Sequence, residues 1–137
     1  MQALGVKKGD RVTVSMPNSP QALAMFYAIN YIGAVANMIH PLSAEKEIEF
    51  YLRDSNTKVC LTIDIAFSKF ENILKLGILD KLIVTSIKDV LSPFMKVAFT
   101  ITQKRVNLNL PSDGSVVLWN DFIKAGRDVA EEDIYVK

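Results

Sequence analysis

Reactive side chains are few and far apart in this sequence. There is one histidine, His40, and one cysteine, Cys60. A general base needs an orienting partner and a nucleophile within hydrogen-bond reach. The residues around His40 supply neither, so it reads as a loop residue at a strand end, hydrogen-bonded locally. Cys60 lies in the apolar run Val59-Cys60-Leu61 and reads as a small buried hydrophobe rather than a catalytic thiol. A zinc-type site needs a cluster of His, Cys or carboxylate ligands, and one His and one Cys on different elements do not make one. Glu45, Glu47 and Glu49 alternate along a helix, so they diverge into a solvated face. Gly5, Gly9, Gly33, Gly77, Gly114 and Gly126 are scattered as punctuation and build no phosphate cradle of the G-x-G-x-x-G or P-loop kind. No catalytic, cofactor-binding or metal-ligating residue is assigned.

The elements around these residues say more. Arg11 to Met16 reads as a strand that ends at Pro17-Asn18-Ser19-Pro20. Ser19 is placed to cap a helix with Pro20 at its first position. Ala22 to Ile32 has one clearly polar residue, Asn30, and a helix apolar on nearly every side is expected to be buried on several sides. Val35 to Ile39 reads as a buried strand with His40-Pro41-Leu42 as its exit. Ser43 is expected to cap the next helix, where Ile48, Tyr51, Leu52 and Ser55 share a face, Glu49 and Arg53 pair outside, and Asn56 ends the helix left-handed. Lys58 to Ile63 is a third strand. Phe67, Phe70, Ile73 and Leu74 mark a third helix stopped by Gly77, and Lys81 to Ser86 is a fourth strand.

That β-α-β-α-β-α-β order, with continuous apolar strands such as Leu82-Ile83-Val84, predicts an α/β fold: a doubly wound, mainly parallel sheet flanked by helices. Beyond it, Asp89 to Arg105 reads as a helix and Pro111-Ser112-Asp113-Gly114 as a turn. Val116-Val117-Leu118 is short and extended, and Trp119 to Ala125 is a short helix closed by Gly126. In such sheets ligands approach the carboxyl ends of the strands. Here those ends are Pro17-Asn18-Ser19, His40-Pro41-Leu42-Ser43, Asp64 and Ser86.

Composition narrows the partners. The 137 residues are 50% hydrophobic and 23% charged, which is globular, and suit one domain or a large fragment of one. Sixteen basic and 15 acidic residues give a net charge of +1, with no concentrated basic face for nucleic acid. No internal disulfide can form from one cysteine, which suits a reducing cytoplasm. Lys7, Lys8, Asp10 and Arg11 follow the start too closely for a signal peptide. Ala22 to Ile39 is uncharged, but Asn30, Gly33 and Asn37 interrupt it, so a buried helix, turn and strand are expected rather than a transmembrane span.

An ordered series of motifs runs through the first half: Gly9-Asp10-Arg11-Val12, Met16-Pro17-Asn18-Ser19-Pro20, Phe26-Tyr27-Ala28-Ile29 and Gly33-Ala34-Val35. His40-Pro41-Leu42-Ser43, Glu47-Ile48, Leu52 and the strand from Lys58 continue it. Together they resemble the N-terminal region of the AMP-dependent synthetase and ligase family, the acyl-adenylate-forming enzymes. The resemblance is strongest over residues 5–63, weakens to residue 87, and resumes at Val116 to Gly126, which is similar to the short helix before the family's nucleotide loop.

The resemblance implies a flavodoxin-like subdomain of an acetyl-CoA-synthetase-like fold. It implies a full-length ligase in which a carboxylate attacks the α-phosphate of Mg-ATP, giving an acyl-adenylate and pyrophosphate, before coenzyme A takes the acyl group. Residues 1–137 are then expected to be a partial N-terminal domain, cut before the Ser/Thr/Gly-rich phosphate loop that would follow Tyr135-Val136-Lys137. The catalytic residues would lie outside the chain. This piece would be structural, inert alone and without bound ATP, magnesium or coenzyme A. Ser92 to Arg105, apolar with basic residues at its end, resembles the variable insert of fatty acyl-CoA synthetases, so a fatty acid is the expected acid. Peripheral contact of that segment with a membrane stays open. The alternatives are a freestanding flavodoxin-like binding module without catalysis, and a ligase of the same family for an aromatic or amino acid.

Overall fold

The computed structural model describes residues 1–90 and 110–129. Five parallel strands form one sheet: β1 (Arg11–Ser15), β2 (Val35–Ile39), β3 (Val59–Ile63), β4 (Lys81–Thr85) and β5 (Val116–Leu118). Their order is β2-β1-β3-β4-β5, that of a flavodoxin-like doubly wound sheet. Among the described residues the α-helices are α1 (Pro20–Tyr31), α2 (Glu45–Asp54), α3 (Phe67–Lys75) and α4 (Trp119–Arg127). The α/β class and the first four strands agree with the sequence reading. Val116–Leu118, expected only as an extended piece, adds a fifth strand beside β4.

Register fixes which side chains share a face. Thr13 pairs with Asn37 and Cys60, and Val14 with Met38 and Leu61. The Thr13 face carries a polar cluster against the end of α2. Thr13 Oγ1 donates to Thr57 Oγ1 at 3.0 Å, and Asn37 Nδ2 donates to Thr13 Oγ1 at 3.0 Å and Ser55 Oγ at 3.1 Å. The Val14 face carries α1, whose Gln21 Nε2 donates to Thr85 Oγ1 at 3.3 Å. Thus α1 and α2 lie on opposite faces, as right-handed crossovers to either side of β1 require. Val12, Val14, Leu61, Leu82, Ile83 and Phe70 are buried at the centre of the core.

Local chemistry accounts for most boundaries. Ser19 Oγ accepts from the Ala22 N–H at 3.2 Å, and Pro20 opens α1. Gly33 follows with φ 73, where a Cβ would meet Lys8 Cγ at 2.9 Å. Asn56 takes φ 49 after α2, and Gly77 takes φ 66 after α3.

Several expectations need correction. Helix α1 buries only Gln21, Ala22, Met25 and Ile29, while Leu23, Phe26, Tyr27 and Tyr31 are 40–64% exposed. Among the described residues only the sheet side of this helix is covered. Strand β2 is the sheet's edge, not a buried strand, and leaves Val35 and Met38 half exposed. The cap of α2 is Ala44 rather than Ser43: Ala44 is extended and Glu47 Oε2 takes its N–H at 3.1 Å. Helix α4 runs through Gly126 to Arg127, because Gly126 stays out of the left-handed conformation that would stop it. The helix expected from Asp89 gives a 3-10 turn over Ile87–Val90, and its remainder to Arg105 lies outside the described residues.

Candidate functional site

Among the described residues, two hollows lie at the carboxyl edge of the sheet. The first, of about 450 Å³, opens where β1 and β3 leave in opposite directions, the topological switch point. That volume falls in the ~300–1,000 Å³ range of small-molecule pockets. Met16, Pro17 and Asn18 after β1 form one wall, and His40, Pro41 and Leu42 after β2 form a second. The third comes from Ile63, Ile65, Ala66 and Lys69. Met16, Ile63 and Ala66 are buried, whereas Leu42 and Ile65 are exposed at the rim. The lining is mainly hydrocarbon.

Its polar groups are tied to their neighbours. His40 Nδ1 accepts from the Leu42 N–H at 3.2 Å, which leaves the neutral ring's proton on Nε2. The ring is exposed and locally bonded, as its place at a strand end leads one to expect. Lys69 Nζ donates to the Ser43 carbonyl at 2.8 Å, joining α3 to the loop before α2. An ammonium has three donors, so this bond leaves Lys69 able to meet an anion at the edge of the hollow.

A second hollow, of about 350 Å³, lies between the ends of β4 and β5, beside Asp64, Thr85, Asp89, Trp119 and Asp121. A partly buried hydrogen-bond network lies beside it. Gln21 Nε2 donates to Thr85 Oγ1 and, at 3.1 Å, to the Ser86 carbonyl. Asp89 Oδ2 accepts from Thr85 Oγ1 at 2.9 Å and the Ser86 N–H at 2.8 Å.

Of the strand ends picked from sequence, Pro17, Asn18, His40, Pro41 and Leu42 meet in the first hollow, and Asp64 and Ser86 in the second. Ser19 caps α1 instead, and Ser43 serves Lys69 through its carbonyl. Sequence reasoning missed Lys69 and Gln21. For Gln21 a signal existed, since helical spacing sets it on the Met25 and Ile29 stripe. Cys60 is fully buried, and burial pushes its thiol well above the ordinary range, as a structural rather than a reactive cysteine requires.

Among the described residues, three exit-loop N–H groups are already engaged by side chains: Leu42 by His40, Ile65 by Asp64 Oδ1 at 2.8 Å, and Ser86 by Asp89. Ala22 and Ala44, at the starts of α1 and α2, are capped by Ser19 and Glu47. Among the described residues no group of three or more His, Cys, Asp or Glu could hold a metal ion, and no helix is long and apolar enough to cross a membrane.

The model of the AMP-binding enzyme family matches residues 1–128. The chain belongs to that family. Among curated relatives, a long-chain-fatty-acid–CoA ligase of Bacillus subtilis is 39% identical over 106 residues, covering 77% of this chain and 19% of the relative. An acetyl-coenzyme A synthetase of Yersinia pestis is 32% identical over 139 residues, covering 98% of this chain and 20% of the relative. Among solved structures, an anthranilate CoA ligase in complex with anthranoyl-AMP superimposes with a TM-score of 0.59 at 28% identity, covering 61% of this chain and 16% of that one. The AMP-binding chain thus spans about a fifth of the length of these curated relatives, 19% and 20%.

Proposed function

We propose that the chain is a partial N-terminal domain of an ATP-dependent acyl-CoA ligase, which joins a fatty acid to coenzyme A through an acyl-adenylate and releases AMP and pyrophosphate. The observation that carries this reading is the family match over residues 1–128. The 39% identity to a long-chain-fatty-acid–CoA ligase favours a fatty acid over acetate. In this reading the first hollow borders the path of the acyl chain, because its lining is mainly hydrocarbon. ATP, magnesium and coenzyme A bind through residues outside the described set, and the isolated chain is inert.

Two measurements test the reading. The 137-residue chain, incubated with labelled pyrophosphate, Mg-ATP and a panel of fatty acids, is expected to give no exchange; exchange above background sinks the claim of inertness. In a polypeptide extended through the downstream coding sequence, fatty acids are expected to drive exchange, and Leu42→Lys should raise the fatty-acid KM roughly tenfold, the scale of a lost apolar contact. The KM for ATP should stay fixed. Equal changes in both place the hollow away from the acyl path.

An aromatic acid is the second reading, favoured by the similarity to the anthranilate ligase. Preference of the extended protein for anthranilate over every fatty acid would select it. A coding sequence that stops at Lys137 would instead select the freestanding binding module.

A further inference from the structure

The walls of the first hollow are not equally secured. Met16, Pro17 and Asn18 follow β1, which has β2 on one side and β3 on the other. His40, Pro41 and Leu42 follow β2, which among the described residues has β1 beside it and no strand on its outer side. This second wall is closed upon itself. The Ser43 N–H donates to the His40 carbonyl at 3.2 Å, and the Leu42 N–H to His40 Nδ1 at 3.2 Å. A turn bonded in this way moves as one body about the residues that flank it. Of its side chains Pro41 is buried, while His40 and Leu42 are exposed and add little packing.

Two side chains of α3 reach across to this turn and to the helix behind it. Lys69 Nζ donates to the Ser43 carbonyl at 2.8 Å, and Asn72 Nδ2 donates to Glu45 Oε1 at 3.0 Å. The two residues are three apart, so they share one side of α3, while Phe67, Phe70 and Ile73 are buried in the core. Each bond has one charged partner, which makes it stronger than a bond between neutral groups. We propose that Lys69 and Asn72 are positioning residues: they clamp the turn over residues 40–43 to α3, set the width of the hollow, and thereby decide how bulky a hydrocarbon chain it admits. The proposal rests on the reading that the hollow borders the acyl path, and it adds the residues that control selectivity there. Lys69 acts through the Ser43 carbonyl and not on the reacting carboxylate.

Hydrogen exchange in the 137-residue chain tests the clamp itself. Lys69→Met keeps the length of the side chain and loses its donors. The amides of Leu42 and Ser43 are then expected to exchange roughly tenfold faster, the scale of one lost hydrogen bond to a charged group. Asn72→Ala should act in the same direction. Lys69→Arg, which can still donate to the carbonyl, should match the parent. Ile73→Val removes core packing from the same helix and should leave these two amides unchanged. Equal exchange in Lys69→Met and the parent overturns the clamp.

Selectivity is measured in the polypeptide extended through the downstream coding sequence. The ratio of kcat/KM for a straight-chain fatty acid to that for a branched acid of equal carbon number is the readout. In the double variant Lys69→Met, Asn72→Ala this ratio is expected to fall roughly tenfold, through a lower KM for the branched acid. Lys69→Arg and Ile73→Val should keep the parent ratio. An unchanged ratio in the double variant overturns the proposal, as does a change confined to the KM for ATP or coenzyme A. Leu42→Lys in the same protein separates the two readings. If it raises the fatty-acid KM while the double variant keeps the ratio, the clamp alone is rejected. If neither substitution alters the kinetics of the acids, the acyl path falls with it.

Discussion

Cys60 shows how fully one residue's chemistry can be set by its place. It sits mid-strand in β3, and burial raises its thiol pKa above the ordinary ~8.5. At pH 8 iodoacetamide is expected to leave it unmodified in the native chain and to alkylate it fully in denaturant; modification before unfolding would contradict the burial. The sign of the pH effect follows. With the folded pKa raised, the stability due to the neutral thiol is complete below the unfolded value and lost as pH climbs past it. Above about pH 9 the parent should therefore lose stability faster than Cys60→Ala, by up to ~1.4 kcal/mol per pH unit. Gly33 makes a different demand. Its φ of 73 and the 2.9 Å approach of Lys8 Cγ to a hypothetical Cβ leave no relaxed place for a side chain. Gly33→Ala should cost about 1–2 kcal/mol in a urea titration, mainly from the backbone, since the Lys8 stem can swing aside.

At the scale of elements, the sequence showed what is decided locally. Ser19-Pro20 announces α1 because a hydroxyl acceptor and a residue without an N–H satisfy a helix start by themselves. Ser19→Ala should lower thermal stability by about 1 kcal/mol, while an unchanged melting curve would mean that the bond to Ala22 contributes nothing. The continuous apolar runs Val59-Cys60-Leu61 and Leu82-Ile83-Val84 likewise disclosed β3 and β4, since only strands covered on both faces tolerate them. What stayed hidden depends on partners distant in sequence. Val116–Leu118 is too short to declare itself without β4 beside it. Ser43 lost its expected capping role to Ala44 because Glu47, a turn further on, reaches back to the Ala44 N–H. In the first hollow, the two proline turns were legible as strand exits, but Lys69 was not. Its position there depends on the 3-10 turn over Asp64–Ala66, which swings α3 toward the Ser43 carbonyl.

Over the whole molecule, strand order governs what the chain exposes. The first strand lies inside the sheet and the second at its margin. Folded proteins guard such margins with lysine, proline or a bulge. Val35-Ala36-Asn37-Met38-Ile39 has no lysine or proline, and its register with β1 is unbroken. Among the described residues no strand pairs with its outer side, and such a row of amides is a template that an extended peptide can copy. In concentrated solutions of the isolated chain, growth from this margin into thioflavin-positive fibrils is the expected failure. Val35→Lys, on an already half-exposed side chain, should delay it without altering the circular dichroism of the monomer. For anyone producing the protein, the weak point is thus a boundary of five residues, and a single cation placed there is the remedy.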